Sequence, residues 1–246
     1  MSERIPTEQD LIASAWELVP TLAERAQACE EMRRVPSETV AEFEQAGFYR
    51  ISQPKAYSGY QMSPEVIFNV AMILARGCPS SAWCMALVSV HNWEPGVMDA
   101  RAAEDLWGED PSIRYSSSYA PLGKLRVVEG GYRLSGHWEW SSGSEHCTWV
   151  MLGALLPKQD DADHGGPREQ IALLVPKEDC TIIDTWHVAG LKGTGSNDVV
   201  VEDAFVPEHR VHRVSAPSHG AFGGGVYDLP FANVFGLSLV SQELIK

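Results

Sequence analysis

A block of strand-like runs with no helical segment between them is the feature that most constrains the fold of this chain. The runs lie between Arg114 and Val206, and Gly130-Gly131 separates two of them as in a tight hairpin. Strands that follow one another without crossover helices favour antiparallel pairing. We therefore predict an antiparallel β-sandwich or barrel domain over residues 112–210.

The chain before this block has the residue spacing of helices. Apolar residues recur at helical spacing from Glu8 to Arg34, although Pro20 is expected to kink or split this helix near Val19. Ser63-Pro64 indicates another helix start, because serine caps a first turn and proline fits its first position. We predict an N-terminal α-helical domain over residues 1–111, and hence an α+β fold class.

The last long helix of this domain, predicted over Pro79–Trp93, places three side chains on one face. Trp83, Leu87 and His91 stand at i, i+4 and i+8, so they span about 12 Å along the helix. That span matches the distance between a cofactor ring and a molecule bound beside it. The alternative is structural, with Trp83 in the core and His91 a satisfied interface histidine.

The stretch Trp138–Cys147 runs from two tryptophans into a serine-rich turn. Indoles leave water when they can and buried hydroxyls need partners, so this mixture suits neither a solvent loop nor a core. A flat heteroaromatic ligand suits both, because indoles pack against its ring while Ser141 or Ser142 hydrogen-bonds its nitrogens. The alternative is a twisted hairpin end whose tryptophans pack under a helix.

A polar, strand-like run with three serines in a row precedes Pro121. Side chains alternate across a strand, so Ser117 and Tyr119 should point to one face and Ser118 to the other.

Three further strings are interpreted as structural. Gly190–Ser196 matches no phosphate-binding motif and precedes a strand, so we predict a tight turn that has some chance of touching a ligand. His209 and His212 lack a third ligand nearby, so no metal site is predicted. Glu145–Cys147 is not a nucleophile with its base, because adjacent side chains rarely point at each other.

Composition narrows the partners. The formal net charge of −14 argues against nucleic acid and anionic membranes, because both would repel the chain. No apolar run has the length of a membrane span, and no signal-peptide pattern is expected. Five scattered cysteines indicate reduced thiols, which predicts a cytoplasmic location.

The order of these parts resembles the acyl-CoA dehydrogenase fold, and five strings resemble its hydroxylating branch. That branch comprises the oxygenase components of two-component, reduced-flavin-dependent aromatic monooxygenases. The strings are Val90–Trp93, Trp107–Pro111, Arg114–Pro121, Trp138–His146 and Gly190–Val200. In combination they are most similar to the secosteroid phenol hydroxylases of bacterial steroid-ring degradation. The resemblance covers essentially the whole chain.

The resemblance assigns roles to individual side chains. It implies that the residues lining the flavin isoalloxazine are Trp83, Ser117, Ser118, Tyr119, Trp140, Ser141 and Ser142. It implies three catalytic residues: His91 meets the phenolic oxygen, Ser117 orients the same oxygen, and Ser142 holds flavin N5. A neutral His91 would accept or share the phenolic proton, and the indoles would exclude water.

The resemblance also implies the reaction and its components. A phenol would be hydroxylated ortho to its hydroxyl through a flavin C4a-hydroperoxide. The expected cofactor is reduced FMN, with FAD as the alternative, and molecular oxygen is the co-substrate. A separate NAD(P)H:flavin reductase would supply the reduced flavin, and the full-length protein would be a homotetramer.

One departure from the family concerns the C-terminal region. Family members continue into a four-helix bundle, whereas this chain stops at Lys246, so the bundle is expected to be missing or only begun. We predict a linker and a cut-short first helix over residues 211–246, the apolar face of Leu229–Lys246 having nothing to pack on. Two alternatives follow: an acyl-CoA dehydrogenase-type flavoenzyme, and an inactive flavin-binding fragment.

Overall fold

The computed structural model describes residues 4–157, 168–217 and 220–235. Helices come first and strands follow. The α-helices are α1 (Glu8–Met32), α2 (Ser37–Gln45), α3 (Pro64–Leu74), α4 (Pro79–His91) and α5 (Ala100–Trp107). The strands are β1 (Tyr115–Val128), β2 (Gly131–Ser141), β3 (Trp149–Leu155), β4 (Gln170–Pro176), β5 (Cys180–Ile183), β6 (Asn197–Pro207) and β7 (Val211–Arg213). Within these described ranges, no helix has the length and apolar character needed to cross a bilayer.

The first helix corrects one sequence prediction. Proline was expected to kink or split it near Val19. Because α1 runs through Pro20 without a break, the split is wrong, and a kink there stays a prediction. Proline removes a single intrahelical hydrogen bond, and the Pro20 side chain faces solvent. Two features of α1 offset that loss: a capping box between Thr7 and Asp10 at its start, and a buried apolar stripe that includes Leu22.

Helices α1 to α4 share one apolar core, in which α1 and α4 both pack on α3. Phe43, Ile67 and Met85 are fully buried in it. The predicted start of α3 is confirmed, because Ser63 accepts a hydrogen bond from the Glu65 amide and Pro64 occupies the first turn. This core fixes α4, and therefore the side chains at its C-terminal end.

The seven strands are ordered β5-β6-β2-β1-β3-β4-β7. The second half of β1 pairs with β2 in the predicted Gly130-Gly131 hairpin, and its first half lies beside β3. That second pair departs from the antiparallel prediction, because β1 and β3 run parallel from Tyr115 opposite Trp149 to Ser118 opposite Leu152. Strand β2 and the turn after it provide the crossover that parallel neighbours need.

The two halves of the sheet face each other across a second apolar core. Trp138 of β2 lies in this core with no exposure, and its Nε1 donates to the backbone oxygen of Gly153 in β3 at 2.8 Å. Gly153 is required there, because a Cβ would lie 2.2 Å from the backbone oxygen of Tyr119. The outer face of β3 and β4 packs on α5. The site described below lies where β1 meets α4.

The chain after the sheet returns to the helices. Residues 231–235 are helical, Val234 is fully buried, and Phe231 and Phe235 contact Tyr119. The expectation that this apolar face has nothing to pack on is therefore wrong for these residues, whereas residues 236–246 lie outside the described ranges. The division of the chain at residues 111 and 210 stays a prediction; β7, just after 210, still pairs with β4.

Candidate functional site

His91 is the last residue of α4 and is 2% exposed. Its Nε2 lies 2.9 Å from the Ser117 hydroxyl of β1, and its Nδ1 lies 3.4 Å from the backbone oxygen of Tyr115. A carbonyl can only accept a hydrogen bond, so Nδ1 carries the proton. Nε2 is then an unprotonated acceptor, and the Ser117 hydroxyl donates to it.

The surroundings of His91 keep it neutral. Burial lowers its pKa to about 4, and this effect outweighs the charge of Glu94 and the backbone oxygen of Tyr115, which both act to raise it. At neutral pH the side chain is therefore an uncharged base whose unprotonated nitrogen accepts from Ser117.

Aromatic rings enclose this imidazole. Tyr115 and Phe235 stack on it at centroid distances of 5.4 and 6.0 Å, and Tyr119 meets it edge-on at 6.0 Å. Ser117 and Tyr119 share one face of β1, whereas the Ser118 hydroxyl donates to the Glu139 backbone oxygen. The alternation predicted for this strand is therefore what the contacts show.

A second cluster begins at Trp83, earlier on the same helix. Its Nε1 donates to the Ser142 hydroxyl at 3.1 Å, and Ser142 lies 2.7 Å from the Ser196 hydroxyl. Ser196 lies 2.7 Å from the Thr194 hydroxyl, which donates to the backbone oxygen of Leu191 at 3.0 Å.

The hydrogen bonds that link the hydroxyls of Ser142, Ser196 and Thr194 all donate in one direction, which the last of them fixes. Thr194 has one hydroxyl proton and gives it to a carbonyl, so Ser196 donates to Thr194 and Ser142 donates to Ser196. Ser142 therefore accepts a hydrogen bond from the Trp83 indole N–H and keeps one lone pair free. The predicted turn Gly190–Ser196 contributes both Thr194 and Ser196, which sequence reasoning did not assign to a site.

Two of the predicted flavin-lining residues stand apart from this cluster. Ser141 is buried, and its hydroxyl donates to the Ser116 hydroxyl inside the sheet at 2.9 Å. Trp140 is 68% exposed and has a φ of 68°, an uncommon left-handed conformation for a residue other than glycine. The structure thus brings Trp83 and Ser142 together, and separately His91, Ser117 and Tyr119. Trp140 is left on the surface.

Sequence reasoning missed a buried carboxylate beside the ring cluster. Glu94 lies just after α4, and its two oxygens contact the Tyr119 hydroxyl and Nδ1 of His212. The available signal was a carboxylate three residues after His91, directly after the predicted helix Pro79–Trp93. In the described ranges, no cluster of histidine, cysteine, aspartate and glutamate could hold a metal ion.

Comparisons with known proteins agree on one group. Residues 6–95 match the N-terminal domain of acyl-CoA dehydrogenases. The chain is 41% identical over 223 residues to the flavin-dependent monooxygenase oxygenase subunit HsaA of Rhodococcus jostii, covering 88% of this chain and 57% of that protein. It is 36% identical over 200 residues to the oxygenase component of an FADH2-dependent resorcinol hydroxylase of a Rhizobium species, covering 81% and 48%.

A solved structure extends this similarity to three dimensions. The crystal structure of 3-HSA hydroxylase from Rhodococcus sp. RHA1 superposes with a TM-score of 0.89 at 38% identity, over 96% of this chain and 61% of that one. The chain thus spans between about half and three fifths of the length of these relatives.

Proposed function

Because this chain belongs with the acyl-CoA dehydrogenase-like oxygenase components of two-component flavin monooxygenases, we propose that the whole protein hydroxylates a phenolic ring. The hydroxyl group enters ortho to the existing one, with reduced flavin and molecular oxygen as co-reactants. The observation that carries this proposal is the contact between buried His91 and half-buried Ser117, a neutral base and a hydroxyl that share one hydrogen bond.

In this proposal His91 handles the phenolic proton. Nε2, which accepts from the Ser117 hydroxyl at 2.9 Å, takes or shares the proton of the substrate hydroxyl once that hydroxyl replaces Ser117 as its donor. The ring is then electron-rich at the ortho carbon, where hydroxylation takes place. Ser117 keeps the same phenolic oxygen in place, and the rings of Tyr115 and Phe235 exclude water.

In this proposal the Trp83–Ser142 cluster contacts the flavin directly, and Ser117, Ser118, Tyr119, Trp140 and Ser141 form the surrounding wall. The donor set fits a reduced flavin ring, because Ser142 has a free lone pair that can accept from an N–H group such as N5–H. When bound, the flavin supplies the electrons that activate molecular oxygen. Exposed Trp140 is free to cover the ring edge.

The identity of the flavin and the partners belong to the same proposal. We infer reduced FMN as the cofactor. Reduced FAD is the alternative to compare with FMN, because the resorcinol hydroxylase relative is named for FADH2. Relatives named as a subunit or component support a separate flavin reductase. We further propose a cytoplasmic homotetramer.

A single-turnover experiment tests the assignment of His91. The protein is premixed with photoreduced FMN or FAD, mixed with oxygenated buffer containing simple phenols, and assayed for catechol and hydrogen peroxide. Wild type should give catechol. His91→Ala should oxidise the flavin at a similar rate but release hydrogen peroxide instead, because the phenol keeps its proton.

His187→Ala, which alters an exposed histidine, is the matched control and should behave as wild type. Unchanged catechol yield in His91→Ala would contradict the role of His91. An FAD that stays bound when oxidised and reacts with an acyl-CoA would favour a dehydrogenase instead. Tight flavin binding without any product would identify a flavin-binding protein that does not turn over.

A further inference from the structure

The carboxylate of Glu94 is buried without a strong cation. The residue has no exposure and begins the short 3₁₀ turn Glu94–Gly96 after α4. Its Oε1 lies 2.5 Å from Nδ1 of His212 in β7, and its Oε2 accepts a hydrogen bond from the Tyr119 hydroxyl. Among the residues that the structure describes, no lysine or arginine hydrogen-bonds to it.

Such a group is a costly choice for stability alone. Removing a carboxylate from water carries a large free-energy penalty, and hydrogen bonds from one histidine and one hydroxyl offset it only when their geometry is good. An apolar side chain of similar size would fill the same space at lower cost. A buried carboxylate next to a candidate base is therefore better explained by chemistry than by packing.

Glu94 and His91 act on the same pocket. They are three residues apart at the end of α4, and β1 links them again, because Ser117 contacts His91 while Tyr119 contacts Glu94. The ring of Tyr119 lies 6.0 Å from the ring of His91. The negative charge of Glu94 acts to raise the pKa of His91 and also raises those of Tyr115 and Tyr119.

We propose that Glu94, held by His212 and Tyr119, is a positioning residue for the proton transfer to His91. This inference rests on the proposed function. In the step concerned, the phenolic O–H bond breaks and an N–H bond forms at Nε2 of His91, so a phenolate and an imidazolium arise together. The carboxylate stabilises that imidazolium and keeps Tyr119 protonated and turned away from the substrate oxygen.

The titratable side chains around the Glu94 carboxylate come from several elements. They are His91 from α4, Tyr115 and Tyr119 from β1, and His212 from β7. Of these, only His91 offers an unprotonated nitrogen next to a serine hydroxyl, so it is the group that receives the proton.

The test removes the charge and keeps the shape. In Glu94→Gln protein labelled with ¹⁵N-histidine, free of flavin and substrate, the titration midpoint of His91 should fall by about one pH unit, the low end of the effect of a nearby opposite charge. Glu94→Asp keeps the charge and should restore most of the midpoint. Tyr119→Phe removes the hydroxyl but not the charge, and should leave the midpoint close to that of wild type.

The kinetic readout uses the single-turnover assay as a function of pH. Glu94→Gln should lower the rate of catechol formation by up to roughly tenfold, with the pH dependence shifted as the His91 midpoint is. If wild type forms catechol while Glu94→Gln shows an unchanged midpoint and rate, the role of Glu94 is refuted and the proposed function stands. If wild type hydroxylates no phenol, the proposed function fails, and this role with it.

Folding of the variants is checked first by circular dichroism. If Glu94→Gln does not fold, Glu94→Asp and His212→Gln decide the matter, because both keep a carboxylate at this position. The inference is overturned if the His91 midpoint in these variants falls by the full amount expected for loss of the charge. Midpoints close to that of wild type would support it.

Discussion

Lowering the pH from 7 to 5 should destabilise this protein by about 2 kcal/mol through His91 alone. The folded protein holds this side chain 2% exposed, and burial lowers its pKa from 6.5 to about 4. In the unfolded chain His91 is protonated near the ordinary histidine pKa, whereas in the folded chain it stays neutral until the pH approaches its lowered pKa. The unfolded state therefore binds more protons throughout this window, so stability falls as the pH falls.

The size of the effect follows from the two pKa values. The full difference corresponds to about 3 kcal/mol, which is lost only below the folded-state pKa. At pH 5 the unfolded histidine is almost fully protonated while the folded one is mostly neutral, so about 2 kcal/mol is already lost. At pH 7 the penalty is close to zero, because both states are largely neutral.

Urea unfolding followed by tryptophan fluorescence at the two pH values measures this loss. Wild type should lose about 2 kcal/mol more than His91→Gln, which has no imidazole to protonate. Acid-sensitive groups elsewhere, such as Asp99 with its pKa lowered by Arg101, affect both proteins equally and cancel in the comparison. His187→Gln removes an exposed histidine and should track wild type. Equal losses in wild type and His91→Gln would refute the view that burial makes His91 a neutral base.

Three other substitutions probe the sheet and the hydroxyl chain. Gly153→Ala places a Cβ 2.2 Å from a backbone oxygen of β1 and should lower the stability in thermal unfolding by about 2 kcal/mol or more. In the control Gly190→Ala the new Cβ meets nothing within 4 Å, so its stability should not fall. Equal melting temperatures of the two variants would contradict this. Trp138→Phe removes the hydrogen bond from the indole to the Gly153 carbonyl and should cost about 1–3 kcal/mol, measured by urea unfolding. A loss below about 0.5 kcal/mol would show that the bond is unimportant. Ser142→Ala should lower the catechol yield per flavin oxidised. Ser141→Ala should change this yield less, because the Ser141 hydroxyl forms its hydrogen bond inside the sheet. The reverse order of effects would assign the flavin contact to Ser141.

Local chemistry in the sequence was enough to predict several elements. Ser63-Pro64 starts a helix and Gly130-Gly131 closes a hairpin, because capping and turn geometry depend on neighbouring residues only. Strand alternation likewise placed Ser117 and Tyr119 on one face. The family resemblance then predicted the acyl-CoA dehydrogenase-like fold, which the comparisons confirm.

Contacts between distant segments were beyond local reasoning. Pro20 lies within an unbroken helix because packing on other helices outweighs one missing hydrogen bond. The parallel pairing of β1 with β3 depends on how the two halves of the sheet close over Trp138. The buried position of Glu94 could not be predicted, because it depends on contact with His212, which lies 118 residues later in the chain.

The return of residues 226–235 to α4 has a consequence for the order of folding. Trp93 Nε1 donates to the backbone oxygen of Val226, 133 residues away, and Phe235 closes the ring stack on His91. Contacts of such long sequence separation form slowly, because a large loop must close before they gain anything. During synthesis, α4 and β1 emerge before this segment, so the Phe235 ring that closes the stack on His91 is added after them. The enclosure of the base is thus completed only when this C-terminal segment packs against α4 and β1.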